Sequence, residues 1–348
     1  MITGKTIVLT GANSGIGLEV LKLLLEGDNR ILCVDKNTDV LEKYADEKMT
    51  VMQCDVSSKE AVDAIFDRAL EVLGSIDIFY ANAGYPYYEE FNYVDWDRVQ
   101  RMFETNVFSP IYTYQKYAQY LNGRKGIYAI TVSAIGQMAM PGFTVYSASK
   151  FAMEGFQQGL RLELPDNIQL TCLYPVATDT NFFKTANSIE FKKPFPVQKP
   201  SVVARKMVKG IEKGKKSVSP CALFGFAKAL MKFLPFVRTM YWGLEKRKFT
   251  EEWKKLYSEY TVISRPSSQS TSMSWSMAIS SRVSSLFSFK FSRSFGQKIG
   301  HRCLCDARSG YIGFYIVSVG PASSCSSAAT SSNVGRIIRS YLAFTYSL

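Results

Sequence analysis

Three residues within one short stretch have the types and spacing for proton transfer. Ser133 is followed thirteen positions later by Tyr146, and Lys150 comes four positions after that, in SAIGQMAMPGFTVYSASK. Residues four apart share a helix face, so a helix opened by YSASK would point the phenol and the ammonium group into one pocket. The preceding run, GIYAITVSA, is apolar and β-branched, and reads as a buried strand with Ser133 near its C-terminal end. A strand-end hydroxyl aimed at a phenol beside an ammonium group is a proton-transfer site. No histidine occurs in residues 1–260, so a histidine acid/base is excluded there.

These groups need a scaffold, and short apolar runs alternate with segments of helical period. The strand candidates are 6–10, 30–35, 50–56, 76–84, 126–134 and 168–175. Helical segments such as SKEAVDAIFDRALEVLG and the long run from VDWDRVQRMF to YAQYLNG lie between them. Strands buried on both faces and separated by helices give a parallel sheet covered on both sides. Right-handed crossovers then make a single doubly wound, Rossmann-type α/β fold. Residues 201–215 read as one more helix, and 1–218 are expected to form the catalytic domain.

The first strand runs into TGANSGIG, so Gly11, Asn13, Ser14, Gly15, Ile16 and Gly17 occupy the turn into the first helix. Glycines there permit a tight turn and close approach of the backbone, and a helix N-terminus attracts a pyrophosphate. The second strand ends in Asp35, eighteen residues after Gly17. A carboxylate at that place accepts both hydroxyls of an adenosine ribose and repels a 2′-phosphate, which favours NAD over NADP. Lys36 follows directly and could contact such a phosphate, so NADP stays as the alternative. Asp55 and Val56, at the end of the third strand, are placed for the adenine.

Composition bounds the partners. The chain carries +12, but nine Lys/Arg against the single acid Asp306 fall from 261 onward. Residues 1–260 are therefore near +4, which argues against a nucleic-acid partner for the folded part. The seven cysteines form no CxxC pair, and Cys33, Cys54 and Cys172 sit in apolar runs, as expected of reduced thiols in a cytoplasmic protein. Neither a signal peptide nor a spanning helix is visible. Residues 219–260 are apolar, aromatic and basic, with Pro235 expected to break or kink a helix. They read either as an element packed on the core or a partner subunit, or as an amphipathic segment making peripheral membrane contact through 219–249. Residues 261–348 are Ser-rich and of low complexity, and are expected to be disordered or read-through sequence. His301, Cys303 and Cys305 lack a fourth ligand at zinc-type spacing, so no metal is expected.

Taken in order, TGANSGIG, Asp55, Asn82–Ala83–Gly84, Asn106, Ser133 and Tyr146-x-x-x-Lys150 resemble the short-chain dehydrogenase/reductase family over about residues 3–215. The resemblance implies an NAD(P)-dependent oxidoreductase acting on a hydroxyl/ketone pair. By it Tyr146 is the general acid/base, Lys150 lowers the phenol's pKa and binds the nicotinamide ribose, and Ser133 orients the substrate oxygen. Asn106 would hold a water that relays protons, and Asn82, Ala83 and Gly84 would line the cofactor. Pro175 and Thr180 match the segment that meets the carboxamide end of nicotinamide, while Thr178 stands where the family usually has an aliphatic residue and would keep its contact through the backbone. Val176 stands where the family usually has glycine, which puts the backbone path there in doubt.

The segments YPYYEEFNY (85–93) and 178–200, with Met138, Met140 and Phe143, would wall a pocket for a bulky apolar, steroid- or lipid-like substrate. The same aromatics could instead fill core or a subunit interface. The helices over 95–119 and 146–164 are surfaces of the kind through which family members pair, so a homo-oligomer is expected. The competing function is a non-catalytic dinucleotide-binding sensor or scaffold on the same fold.

Overall fold

In a computed structural model the described residues are 1–44, 46–180, 182, 193–263, 301–306 and 311–316. Seven parallel strands form one sheet: β1 (Thr6–Thr10), β2 (Arg30–Asp35), β3 (Met49–Gln53), β4 (Ile78–Ala81), β5 (Gly126–Thr131), β6 (Ile168–Leu173) and β7 (Ser217–Val218). Their order is β3-β2-β1-β4-β5-β6-β7, so the winding reverses between β1 and β4. The expected strands are present: β1 and β2 keep the expected bounds, while β3, β4, β5 and β6 end two or three residues earlier, where the chain leaves the ladder to line a cavity. The edge strand β7 has only two residues, too few for a period-2 pattern to register.

The pleat divides the core. Val8, Leu32 and Phe79 face one side, where α2 (Lys59–Leu73), α4 (Ser109–Leu121) and α5 (Thr144–Glu163) bring Phe66, Tyr117 and Met153. Ile7, Leu9 and Ile31 face the other, against Leu21 of α1 (Gly15–Leu25) and Met207 of α6 (Pro200–Glu212). This alternation explains the continuous apolar runs in the strands. Local chemistry sets the helix limits. The Ser58 hydroxyl accepts from the Ala61 amide to start α2, and Gly74 at φ 76° ends it.

The long helix expected over 95–119 is interrupted. Following α3 (Trp96–Phe103), residues Glu104–Phe108 form a π-turn before α4 begins. Pro110 supplies part of the cause: it has no N–H to give the Asn106 carbonyl four residues earlier. Beyond α6, two helices follow, α7 (Ala222–Phe233) and α8 (Pro235–Ile263), with Pro235 opening the second. In a separate compact unit, β8 (His301–Asp306) and β9 (Tyr311–Ile316) pair antiparallel, where the sequence showed no strand period. The rest of the Ser-rich stretch lies outside the described residues, as do the side chains of His301, Cys303 and Cys305.

Candidate active site

The carboxyl ends of the central strands open on one cavity of about 870 Å³, at the topological switch where open α/β sheets place ligands. One part of its wall holds the trio singled out in the sequence. Helix α5 starts just before Tyr146, and its inward face buries both Tyr146 and Lys150. The Lys150 Nζ lies 5.7 Å from the centroid of the Tyr146 ring and donates to the Thr131 carbonyl at 3.1 Å. Ser133 follows β5 with φ 107°. Its Oγ accepts from the Ile135 amide at 3.3 Å and donates to the Pro175 carbonyl at 3.5 Å.

Burial dominates the electrostatics of this trio. It pushes the Tyr146 phenol well above its ordinary range, partly offset by the nearby Ser133 hydroxyl. It also pushes the Lys150 ammonium down to about 8. The lysine alone would pull the phenol down, but both groups lose water together and each is driven toward its neutral form.

The opposite part of the wall is built mostly from backbone. Gly11 and Gly15 have φ of 67° and 56°, a left-handed conformation suited to glycine. A Cβ on Gly17 would sit 1.9 Å from the Gly11 carbonyl oxygen, so only glycine lets α1 approach that closely. Ser14 caps α1 without a side-chain hydrogen bond, and the first turn holds no acid, which leaves amides there to an anion. Asn82 staples the turn to the sheet. Its Nδ2 donates to the carbonyls of Thr10 and Gly11 at 3.2 and 3.1 Å, and its Oδ1 accepts from Thr131 Oγ1 at 2.9 Å. Asp35 accepts from the amides of Asn13 at 3.0 Å and Asn37 at 3.2 Å, and it reaches the cavity wall.

Comparisons with known proteins agree with this geometry. The family model described as short chain dehydrogenase matches residues 5–190, just over half of the chain. The chain belongs to the short-chain dehydrogenase/reductase family. Among curated relatives, it is 31% identical over 195 residues to 3beta-hydroxysteroid dehydrogenase 2 of Eggerthella lenta, covering 52% of this chain and 74% of that protein. It is 27% identical over 228 residues to 17-beta-hydroxysteroid dehydrogenase 13 of Mus musculus, covering 62% and 74%. The fold matches the solved 3-ketoacyl-(acyl-carrier-protein) reductase from Brucella melitensis complexed with NADH. That match has a TM-score of 0.55 at 23% identity over 62% of this chain and 96% of that one. The protein is thus an oxidoreductase of a family that uses nicotinamide cofactors.

The expected residues of this dehydrogenase/reductase divide clearly. Gly11, Ser14, Gly15, Ile16, Asp35, Asp55, Val56, Asn82, Ala83 and Gly84 line the cavity, as do Ser133, Tyr146, Lys150, Pro175, Thr178 and Thr180. Asn13, Gly17 and Asn106 are not among the lining residues. Asn13 is turned inward, with its Oδ1 accepting from the amides of Val40 and Leu41 and its Nδ2 donating to Asp39 at 2.7 Å. Gly17 packs against the Gly11 carbonyl. The Asn106 side chain is committed behind the wall, accepting from the Tyr85 amide at 3.1 Å and donating to the Tyr85 carbonyl at 3.0 Å and Ser149 Oγ at 3.2 Å.

Val176 does not divert the chain. The turn is held by Thr178 Oγ1 donating to the Val176 carbonyl at 2.9 Å and by Gln198, whose carbonyl takes the Asp179 amide at 2.8 Å. Wall residues not singled out from sequence include Arg101, Thr105, Thr131, Met231 and Tyr241. Arg101 and Thr105 are four apart and so near one helix face, a signal that was available; the contributions of α7 and α8 depend on a tertiary placement that no local pattern announces.

Proposed function

We propose that this protein interconverts a hydroxyl and a ketone on a bulky apolar, steroid- or lipid-like molecule, using NAD(H). One observation carries the reading: a single cavity joins a glycine-built nucleotide cradle to the buried Ser133–Tyr146–Lys150 trio, walled by Met138, Met140, Phe143 and Phe182. The names of the two hydroxysteroid dehydrogenases support the substrate class.

The residues fit the cofactor, since glycines let the turn close against Ala83 and Thr180 and the start of α1 offers unclaimed amides. Amides of Ser14–Ile16 would hold the pyrophosphate, Asp35 the adenosine ribose, and Asp55 with Val56 the adenine. Lys150 would hold the nicotinamide ribose, and the Pro175–Thr180 turn the carboxamide. Bound there, the nicotinamide supplies the hydride acceptor or donor. Asp35 favours NAD(H), while Lys36, its Nζ 5.7 Å from the centroid of the Tyr85 ring, also lines the cavity and keeps NADP(H) as the alternative.

The chain's own residues manage the proton. Ser133 Oγ holds the substrate oxygen beside Tyr146, whose phenol gives or takes the proton. Lys150 stabilises the phenolate, against the burial that opposes it. Asn106 joins the relay through its backbone carbonyl, whose α-helical donor is lost at Pro110, because its side chain is fully engaged. Water on that carbonyl would lead toward Lys150.

The test is a screen of alcohols and ketones, read by absorbance of the reduced nicotinamide, with wild type and Tyr146→Phe. Tyr146-dependent turnover of apolar substrates is expected. Cofactor binding without such turnover on any substrate would leave the sensor or scaffold reading. Asp35→Ala should improve use of NADP(H); an unchanged preference would sink the role given to Asp35.

A further inference from the structure

Helices α7 and α8 each present two different apolar stripes. On α7, Phe224, Ala227 and Met231 recur at helical spacing and line the cavity, and Val237 and Tyr241 of α8 continue the same wall. This inner side is tied down: Trp242 Nε1 donates to the Ala139 carbonyl at 2.8 Å, and the Tyr241 hydroxyl to the Phe195 carbonyl at 3.2 Å. The outer side carries just as much apolar surface and meets nothing among the described residues that buries it. Phe226 is 68% exposed and Phe233 79%, with Phe236, Met240 and Leu244 following at intervals of about one turn on α8. No residue of α7 is buried. Contiguous exposed apolar surface on this scale marks an interaction site.

Two further features say what covers it. Six Lys/Arg and one acid occur in 221–248, and the acid, Glu245, is buried against Lys248. Lys232 and Arg238 stand exposed beside the phenylalanines. Over 221–248 this face is apolar at its centre, basic at its flanks and free of exposed acid, Glu251 being the next exposed acid along α8, and it is complementary to an anionic lipid surface. The outer face is also continuous with the cavity mouth. Leu223 is both 51% exposed and part of the cavity wall, and Phe195, 66% exposed, joins it from the neighbouring loop. Among the described residues no helix is long and apolar enough to cross a membrane, so such contact lies along the surface.

We infer that α7 and α8 dock this protein on an anionic bilayer, with the cavity mouth against the lipid, so that an apolar substrate enters from the membrane. The entry route rests on the substrate class proposed above; the docking itself does not.

The experiment is flotation of the full chain with vesicles of phosphatidylcholine, with and without phosphatidylserine. Binding to the anionic vesicles is expected, falling about tenfold or more in Phe226→Asp/Phe233→Asp. Lys232→Glu/Arg238→Glu, which leaves the apolar stripe intact, should lose the preference for phosphatidylserine. Thermal melting of each variant, matched to wild type, shows that the fold persists. Turnover of a water-soluble ketone should be unchanged in both variants, since none of these side chains lines the cavity. Binding retained by the phenylalanine variant would assign it to the basic residues from 261 onward and overturn the inference. So would no binding together with a dimer in solution that the same substitutions dissociate. Vesicle binding is read without activity, so failure of the enzymatic reading would leave this result standing.

Discussion

The two ends of the cavity are made of different material. The nucleotide end is backbone: glycines in left-handed conformations, a helix start, and Asn82 bonding to two neighbouring segments at once. A side chain added at Gly17 has no room. The substrate end is made of side chains from segments distant in sequence, held by rings and single hydrogen bonds. Tyr88 packs on Phe143 and Phe249 with ring centroids 5.0 and 5.6 Å apart, and its hydroxyl bonds Glu252 at 2.6 Å. Backbone geometry tolerates one ligand shape, whereas apolar side chains can be exchanged at modest cost. On the function proposed above, the fold would hold its cofactor tightly and leave its substrate adjustable.

Four substitutions sharpen that contrast, and the largest effect falls where the two ends meet. Tyr146→Phe should cut turnover by roughly 10²–10⁴-fold, the usual worth of general acid–base catalysis, with cofactor affinity unchanged by titration calorimetry. A small loss would transfer the acid/base role elsewhere. At the nucleotide end, Gly17→Ala should destabilise by about 1–3 kcal/mol through overpacking and abolish cofactor binding; an unchanged melting temperature would contradict the close approach of α1.

Lys150→Met should separate stability from function. The lysine's folded pKa is depressed to about 8 from 10.5, so below pH 8 the wild type bears the cost of a buried ammonium. That cost fades between 8 and 10.5, where the folded state sheds its proton before the unfolded state does. The variant should therefore melt higher than wild type at neutral pH, with the advantage shrinking as pH rises through that window. An advantage that grew with pH would reverse the argument. Met138→Leu, at the substrate end, should change stability by less than about 1.5 kcal/mol and shift KM among apolar substrates, seen in steady-state kinetics. A loss of turnover on every substrate would show that end to be as exacting as the other.

What was legible in the sequence follows the same division. Strands buried on both faces left continuous apolar runs, and the glycine turn and the Tyr146–Lys150 spacing are local, so fold and trio could be read directly. The way Asn13 and Asn106 turn was not legible, because a motif gives position along the chain and not the direction a side chain takes. Asn13 bonds Asp39 across the turn, and Asn106 is taken up by Tyr85 and Ser149. The π-turn was hidden although its cause, Pro110, was in view, since helical periodicity passes smoothly through one inserted residue. Met231 and Tyr241 reach the cavity only through the return of α7 and α8 over its mouth.

Ser133 brings a last consequence. It is held at φ 107° and ψ 147°, a region that residues with a Cβ occupy only at a cost of about 1–3 kcal/mol. Glycine would adopt that conformation without strain but would remove the hydroxyl beside Tyr146; alanine would keep the strain and lose the hydroxyl as well. Selecting this protein for heat tolerance alone should therefore enrich glycine at 133 and yield sturdy, inactive molecules. The serine marks a point where durability and chemistry are in direct competition within a single residue.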